Sequence, residues 1–407
     1  MKKNLIVAQS GGPTSVINSS LLGVIEEAFK HQEISEVFGS LNGIDGILND
    51  NIIDLKKEDK EELKKLKTTP GAILGSVRHC LPKNFTSNIY KTILEQFKKY
   101  EIAYFLYIGG NDSMDTVLKL SEYFKEISFD CKVIGVPKTI DNDLAMTDHS
   151  PGYGSAIKFI SSTIQEIYYD TNSYQKGRVT IVEIMGRDSG WLTAGSKLAC
   201  LNNAGPDLIY LPEVNFNLNK FLDDVNKIYQ QKQKVLVCVS EGIRDLEGKY
   251  VLEKYAYLNN NDVFGHFQLG GVSLVLSNLV KEKLSLPVRA IELNLLQRCS
   301  ITNASKVDIE EAYLVGKKAV NYALKNHSGK MVAIKRISNH PYKIETQCVD
   351  IKKVANKATY VPQEWIVNNH DLNDNFYEYA LPLIQQEPNI FYKNGLLDLA
   401  VLKKIKV

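Results

Sequence analysis

The stretch CKVIGVPKTIDND, Cys131 to Asp143, decides the reading of this chain. After Lys132 its first half, VIGVP, is an apolar run with no polar alternation, the pattern of a strand covered on both faces by helices. Its second half packs a lysine, a threonine and two aspartates into six residues directly after the run ends. A turn needs no such density of charge. The same grammar recurs on both sides. NLIVA is followed by SGGPTSVINSSLLGVIEEAF, and AYFLYIGG by NDSMDTVLKLSEYF. Further on, RVTIVEI precedes MGRDSGWLTAGSKLA and KVLVCV precedes SEGI. Short buried strands alternating with amphipathic, helix-like stretches predict an α/β fold with a mostly parallel sheet.

The chain has 407 residues, so two domains are the default expectation. Hydrophobic residues make up 44% and charged residues 24%, as in a soluble globular protein, and the formal net charge is +2. That balance argues against a nucleic-acid partner; cationic charge for an anionic substrate must be focused in a cleft. Cys80, Cys131, Cys200, Cys238, Cys299 and Cys348 form no CxxC pair, and several lie in apolar runs, which predicts buried free thiols in a reducing compartment. The histidines have no metal-binding spacing. The N-terminal apolar run is too short for a signal-peptide core and no run is long enough to span a membrane, so the sequence predicts a cytoplasmic protein without a membrane partner. LKKEDKEELKKLK, Leu55 to Lys67, reads as a solvated amphipathic helix with Leu63 and Leu66 inward.

In open parallel sheets, ligands bind beyond the carboxyl ends of the strands. The out-of-place polar residues of this chain sit there. Gly11 and Gly12 follow the first run, where backbone N–H groups can approach a phosphate, although a ligand-free tight turn reads the same way. Neither GxGxxG nor GxxxxGK[ST] is present. IGGNDS, Ile108 to Ser113, places Asp112 at a helix start, where a plain N-terminal cap is the blander reading. PKTIDND resists a bland reading. Phosphoryl transfer requires a carboxylate base, anionic oxygens for Mg²⁺ and a cation for the developing charge, and this segment carries all three. MGR, Met185 to Arg187, and SEGIR, Ser240 to Arg244, end two later strands with charge. Glu241 suits sugar hydroxyls, and Arg78, Arg178 and Arg298 suit phosphates.

Taken together, SGGPTSVIN, GSVR, IGGNDSMDT, GVPKTIDNDL, PGYGSA, VEIMGRDSGWLTA, SEGI and LLQRC, in that order, resemble the phosphofructokinase family along nearly the whole chain. The resemblance is to its pyrophosphate-dependent branch. The ATP-using branch carries GGDGS and PGTIDND, where this chain has Asp112 and Lys138 in place of glycines. A carboxylate in the room left for the α-phosphate of ATP would repel it by about 4 kcal/mol at ~4 Å and an effective dielectric of about 20. The resemblance implies two Rossmann-like three-layer domains with the active site in the cleft between them. A phosphoryl-donor domain would span 1–150, completed by part of 305–407, with a sugar-phosphate domain over 151–304 and an extension without assigned role over 340–407. It implies diphosphate and fructose 6-phosphate as substrates, Mg²⁺ as cofactor, and at least a homodimer, or a homotetramer, with arginines lent by a neighbouring subunit. Residue by residue, Gly11, Gly12 and Arg78 would bind the donor, Asp141 would take the proton of the C1 hydroxyl, and Lys138 and Asp112 would assist. Asn111, standing where the family has an aspartate, would share the metal with Asp112 and Asp143. Thr139, Ile140, Met185, Gly186, Arg187 and Glu241 would line the acceptor, and Arg178 and Arg298 would hold its 6-phosphate.

Two rivals share the fold. An ATP-dependent kinase is opposed by Asp112 and Lys138. A non-catalytic regulatory subunit should have lost parts of TIDND, yet Thr139, Asp141 and Asp143 are all kept.

Overall fold

A computed structural model describes residues 3–255 and 271–407. The chain forms two compact units. The first comprises Met1–Ser155, Arg298–Ala358 and Ile384–Val407; the second comprises Ala156–Gln297 and Thr359–Leu383.

The first unit is built on a seven-stranded sheet. Its strands are β1 (Asn4–Gln9), β2 (Val37–Ser40), β3 (Ile52–Asp54), β4 (Ile102–Gly109), β5 (Lys132–Pro137), β10 (Lys330–Asn339) and β11 (Tyr342–Asp350), in the order β11-β10-β5-β4-β1-β2-β3. The five central strands are parallel, and β3 and β11 run antiparallel at the two edges. Every residue of β1 is buried, as is every residue of β4 but one, which is why these runs carry no polar alternation. Helices α1 (Ile17–Ala28) and α7 (Lys306–Leu324) pack against each other in the core on one face. Helices α2 (Asn88–Lys99) and α3 (Asn111–Glu126) cover the other, with Phe97, Phe105, Tyr107 and Phe124 in their core.

The second unit has a four-stranded, wholly parallel sheet of β6 (Val179–Ile184), β7 (Leu208–Tyr210), β8 (Val235–Ser240) and β9 (Val288–Glu292), in the order β7-β8-β6-β9. Helices α5 (Leu218–Lys232) and α6 (Val272–Leu284) bury Phe221, Val225, Leu276 and Val280 against it. Helix α4 (Tyr153–Asn172) carries the chain from the first unit into the second. The fold is α/β with two mainly parallel sheets, as the strand grammar predicts.

One strand lacks the helix that directly follows others, and two local readings change. The residues after β5 do not form a helix; Lys138 to Pro151 run through turns and bridges, and helix begins only at Tyr153. Asn142 adopts φ +54, a left-handed conformation that asparagine tolerates and that a helix cannot contain. The Leu55–Lys67 segment is one short helix, Lys60–Lys65, flanked by 3₁₀ turns, with Leu63 and Leu66 buried as read. All six cysteines are free, but only Cys131 and Cys238 are buried; Cys80 is exposed in a loop and Cys299 at the end of a short helix, Leu296–Cys299. Among the described residues no helix is long and apolar enough to cross a membrane.

Candidate active site

In the first unit, β1, β4 and β5 lie side by side and parallel, so their carboxyl ends share one edge of the sheet. Strand order reverses between β1 and β4, because β2 follows on one side and β5 on the other. That reversal opens a crevice at the strand ends. Three of the sequence motifs meet there: Gly11–Gly12 after β1, Asn111–Asp112 after β4, and Lys138–Asp143 after β5.

Gly11 sits at φ +75, in the left-handed region that glycine enters without steric cost. Its N–H donates to Val77 O at 3.1 Å, and Ser76 Oγ donates to its carbonyl at 2.5 Å, which ties the turn to the segment ending in Arg78. Lys138 is 3% exposed, and its Nζ donates to Gly12 O at 2.6 Å. A Cβ on Gly11 would lie 3.3 Å from Lys138 Nζ, and one on Gly12 would lie 3.1 Å from Arg298 Nη1. The glycines therefore give cationic groups close access to the main chain. Burial, reinforced by Arg78, pulls the Arg298 guanidinium below its ordinary value. Burial likewise lowers Lys138 to about 8, against the opposing pull of Asp141 and Asp143. Lys138 and Arg298 thus reach the glycine turn, with Arg78 close enough to influence the charge of both, an arrangement that can receive an anion.

The two carboxylates face that cluster. Burial, and next the charge of Asp143, raises Asp141 to about 6, while Lys138 and a hydrogen bond with Thr139 oppose the rise. Asp143 is also raised by burial, with a hydrogen bond from Asn111 opposing. Thr139 Oγ1 accepts the Asp141 N–H at 3.1 Å and donates to Asp141 Oδ2 at 3.4 Å. Thr139 and Ile140 are buried beside them.

Asn111 opens α3. Its Nδ2 donates to Asp143 Oδ2 at 3.2 Å and to Lys357 O at 3.1 Å, while its Oδ1 is buried without a hydrogen-bond partner. An orphaned amide oxygen beside a carboxylate suits a hard cation such as Mg²⁺, which takes oxygen ligands. Among the described residues no group of three or more His, Cys, Asp or Glu is placed to hold a metal. Protein oxygens would therefore supply part of the shell and phosphate and water the rest, the usual habit of Mg²⁺. Asp112 is exposed in the first turn of α3, at the positive end of the helix dipole.

In the second unit, β6 and β8 are paired with Ile184 opposite Ser240, so their following residues meet. The Gly186 N–H donates to Glu241 Oε1 at 3.1 Å, and Gly186 O accepts from Ser240 Oγ at 2.5 Å. Gly186 has φ +136, and a Cβ there would stand 2.6 Å from Ser189 O, so only glycine fits. Met185 N donates to Gln297 Oε1 at 3.3 Å. Met185, Gly186, Arg187 and Glu241 thus form one group. Arg178 is not part of it. It precedes the first residue of β6, whereas Met185 follows the last. Six residues of strand separate them, roughly 20 Å at the usual rise. Arg178 lies instead beside Arg289, Asp170 and Thr171, around a cavity of about 400 Å³.

Sequence reading missed two supports of this second group. Gln297 is 2% exposed and holds Met185. Glu213 is half-buried and its Oε1 accepts from Gly190 N at 2.7 Å and Val361 N at 3.1 Å, fixing the loop after β6. Glu213 stands in none of the quoted motifs and Gln297 lies inside LLQRC beside Arg298, and the partners of both are distant in sequence.

Residues 4–323 match the family described as Phosphofructokinase. The chain belongs to the phosphofructokinase family. Over 410 residues, covering 99% of this chain and 97% of the relative, it is 37% identical to a pyrophosphate–fructose 6-phosphate 1-phosphotransferase of Halomonas elongata. The crystal structure of a pyrophosphate-dependent phosphofructokinase from Nitrosospira multiformis superposes with a TM-score of 0.91 at 35% identity, covering 100% of this chain and 98% of that one. A second, from Marinobacter aquaeolei, gives a TM-score of 0.87 at 34% identity and covers 100% and 97%. The likeness to these phosphofructokinases includes the residues after 323, and with them β10, β11 and the segments that return to each unit.

Proposed function

We propose that this chain is a cytoplasmic, pyrophosphate-dependent phosphotransferase that moves a phosphoryl group reversibly between diphosphate and the C1 hydroxyl of fructose 6-phosphate. The observation that carries the reading is Lys138, buried between the Gly11–Gly12 turn and the carboxylates of Asp141 and Asp143. The ATP-using pattern has glycine at that position, so the donor site here holds a fixed cation where the other holds space. Asp112 adds a carboxylate at the mouth of the same crevice, which disfavours the α-phosphate of a nucleotide. The names carried by the full-length relatives point the same way.

In this reading the first unit is the donor half and the second the acceptor half. Gly11, Gly12 and Arg78 hold the diphosphate through main-chain N–H groups and a guanidinium, and Arg298 stands beside them against Gly12. Asp141, raised toward the middle of the pH range, takes the proton from the C1 hydroxyl as the new P–O bond forms. Lys138 balances charge on the transferring group without having to move. Thr139 fixes the Asp141 carboxylate, and Glu241 with Met185, Gly186 and Arg187 orients the sugar. Asn111, Asp112 and Asp143 would hold Mg²⁺, which when bound neutralises phosphate charge. Positioning and electrostatics account for the chemistry; no residue is called on as a covalent nucleophile.

The deciding experiment supplies Mg²⁺ and fructose 6-phosphate with either diphosphate or ATP and follows fructose 1,6-bisphosphate. Turnover with diphosphate alone is expected, and Asp112→Gly should lower it while beginning to admit ATP. Turnover with ATP alone would overturn the donor assignment, and silence with both would overturn the enzyme assignment for this acceptor.

A further inference from the structure

Behind the Asp141 loop the first unit contains a buried ionic cluster to which no motif points. His149, whose side chain is 1% exposed, places Nδ1 2.7 Å from Asp148 Oδ1 and Nε2 2.6 Å from Glu311 Oε2. An imidazole with both nitrogens at hydrogen-bond distance from carboxylates must donate from both, because a neutral ring would set a lone pair against carboxylate oxygen. Each carboxylate is held by a second donor. Arg336, on β10, donates to Asp148 Oδ1 through Nε at 3.1 Å and Nη2 at 2.8 Å. Tyr342, on β11, donates to Glu311 Oε1 at 2.7 Å. Asp308, one turn before Glu311 on α7, accepts from the N–H groups of Gly152 and Ser155 at 2.9 Å each.

The cluster grips the segment 148–155, and that segment grips the loop that carries the proposed base. Thr139 N donates to Pro151 O at 3.2 Å, and Ser150 N donates to Asn142 Oδ1 at 2.9 Å. The two residues so held flank Ile140 and Asp141, and Thr139 also touches the Asp141 carboxylate. We infer that His149 is a positioning residue, which by clamping Ser150–Gly152 between Asp148 and Glu311 sets Thr139 and Asn142, and through them the Asp141 carboxylate. The inference rests on the proposed function only for what Asp141 then does; the clamp itself is a statement about this fold.

The groups that face His149 are Asp148 on its own segment, Glu311 and Asp308 on α7, Arg336 on β10 and Tyr342 on β11. Burial works against its charge, but Glu311 and Asp148 prevail and raise His149 to about 9. The clamp is therefore closed across the neutral range and opens only in alkali. Loss of one carboxylate charge should lower the pH at which it opens.

The test uses the full chain with isotope-labelled histidine and backbone nitrogen. His149→Gln assigns the ring signal. In the unmutated chain the His149 ring should titrate above 8, and the Thr139 and Ser150 amide signals should shift with the same midpoint. Glu311→Gln keeps an acceptor for Nε2 but removes the charge. It should move that midpoint down by at least one unit, lower kcat at pH 7.5 roughly ten-fold, and leave both KM values within about two-fold. Its optimum of kcat should move to lower pH. A His149 midpoint near 6.5 in the unmutated chain overturns the clamp, as does a Thr139 amide that ignores the titration. A Glu311→Gln chain that loses thermal stability at unchanged kcat assigns the cluster to folding alone and also overturns it. If Glu311→Gln fails to fold, the titration of the unmutated chain still decides. If the unmutated chain turns over no fructose 6-phosphate, the proposed reaction fails while the ring and amide titrations judge the clamp separately.

Discussion

Asp141 and Lys138 illustrate how burial sets two opposite charges to work at neutral pH. Left in water, the carboxyl would titrate near 4 and the ammonium above 10. In the crevice they are drawn to about 6 and about 8, each first by loss of solvent. Activity needs Asp141 ionised and Lys138 charged. The sign follows directly: kcat/KM should rise as pH increases through the Asp141 value and fall as it increases through the Lys138 value, giving a bell centred near 7 in a rate profile with diphosphate. Asp141→Asn should remove the acid limb and lower kcat by about 10²–10⁴, the usual contribution of a general base. It should not destabilise the fold, because it relieves repulsion between two buried carboxylates; steady-state rates together with a thermal melt separate the two effects. These residues were legible in the sequence because charge crowded after an apolar run has few structural uses. His149 was not. A single histidine between Asp148 and Ser150 carries no spacing signal, and its second carboxylate stands 162 residues away on α7. Asp308 offered a faint one: Ser305 caps α7 and accepts from the Asp308 N–H at 3.5 Å, an S-x-x-D pattern that marks the helix start but not the anchor it provides.

At the scale of elements, the sheet was readable wherever a strand is buried on both faces. β1, β4, β5, β6 and β8 announce themselves as apolar runs, and the site motifs follow them because loops at the carboxyl edge are where this architecture can vary. What failed was periodicity in the loops. The KTIDND segment resembles a helix start in composition, yet the αL residue Asn142 and the bridge from Thr139 to Gly152 hold it extended. The placement of β10 next to β5 was also beyond local reading, since it pairs residues about 200 positions apart and is fixed by register rather than composition. The loop after β6 depends on Glu213 in the same non-local way. Its Oε1 accepts two main-chain N–H groups, while Oε2 is buried without a partner and burial raises the carboxyl above its ordinary range. Glu213→Gln should therefore be tolerated, with an unchanged melting temperature to within a few degrees. Glu213→Ala leaves both N–H groups unsatisfied and should cost about 1–3 kcal/mol, and it should raise KM for the sugar phosphate more than it lowers kcat. Denaturant unfolding and initial rates measure the two parts.

At the scale of the whole molecule, Arg178 stands at the opposite end of its strand from the group it is expected to serve. Within its own unit it stands roughly 20 Å from Met185, beyond the reach of any arginine side chain. If it binds the 6-phosphate, as the family resemblance implies, it must do so for another copy of the chain, and the enzyme must be at least a dimer. A symmetric dimer makes that reciprocal: each chain lends its Arg178 and borrows its partner's. Arg178→Ala and Asp141→Asn would each be nearly inactive alone, one for want of the phosphate anchor and one for want of the base. When the two are unfolded together and refolded as a mixture, half of the dimers combine one of each. Such a dimer has one site that lacks both groups and one that lacks neither. Activity should then return to about a quarter of that of the unmutated protein, as random pairing requires. An Arg178 that acts within its own chain predicts no recovery, because every site would still carry one defect. The recovery should also vanish on dilution below the dimer dissociation constant and reappear on concentration, which distinguishes a shared site from a trace of refolded contaminant. Recovery thus tests the assembly and the role of Arg178 in one measurement, and its absence would return Arg178 to the 400 Å³ cavity where Arg289 and Asp170 stand beside it.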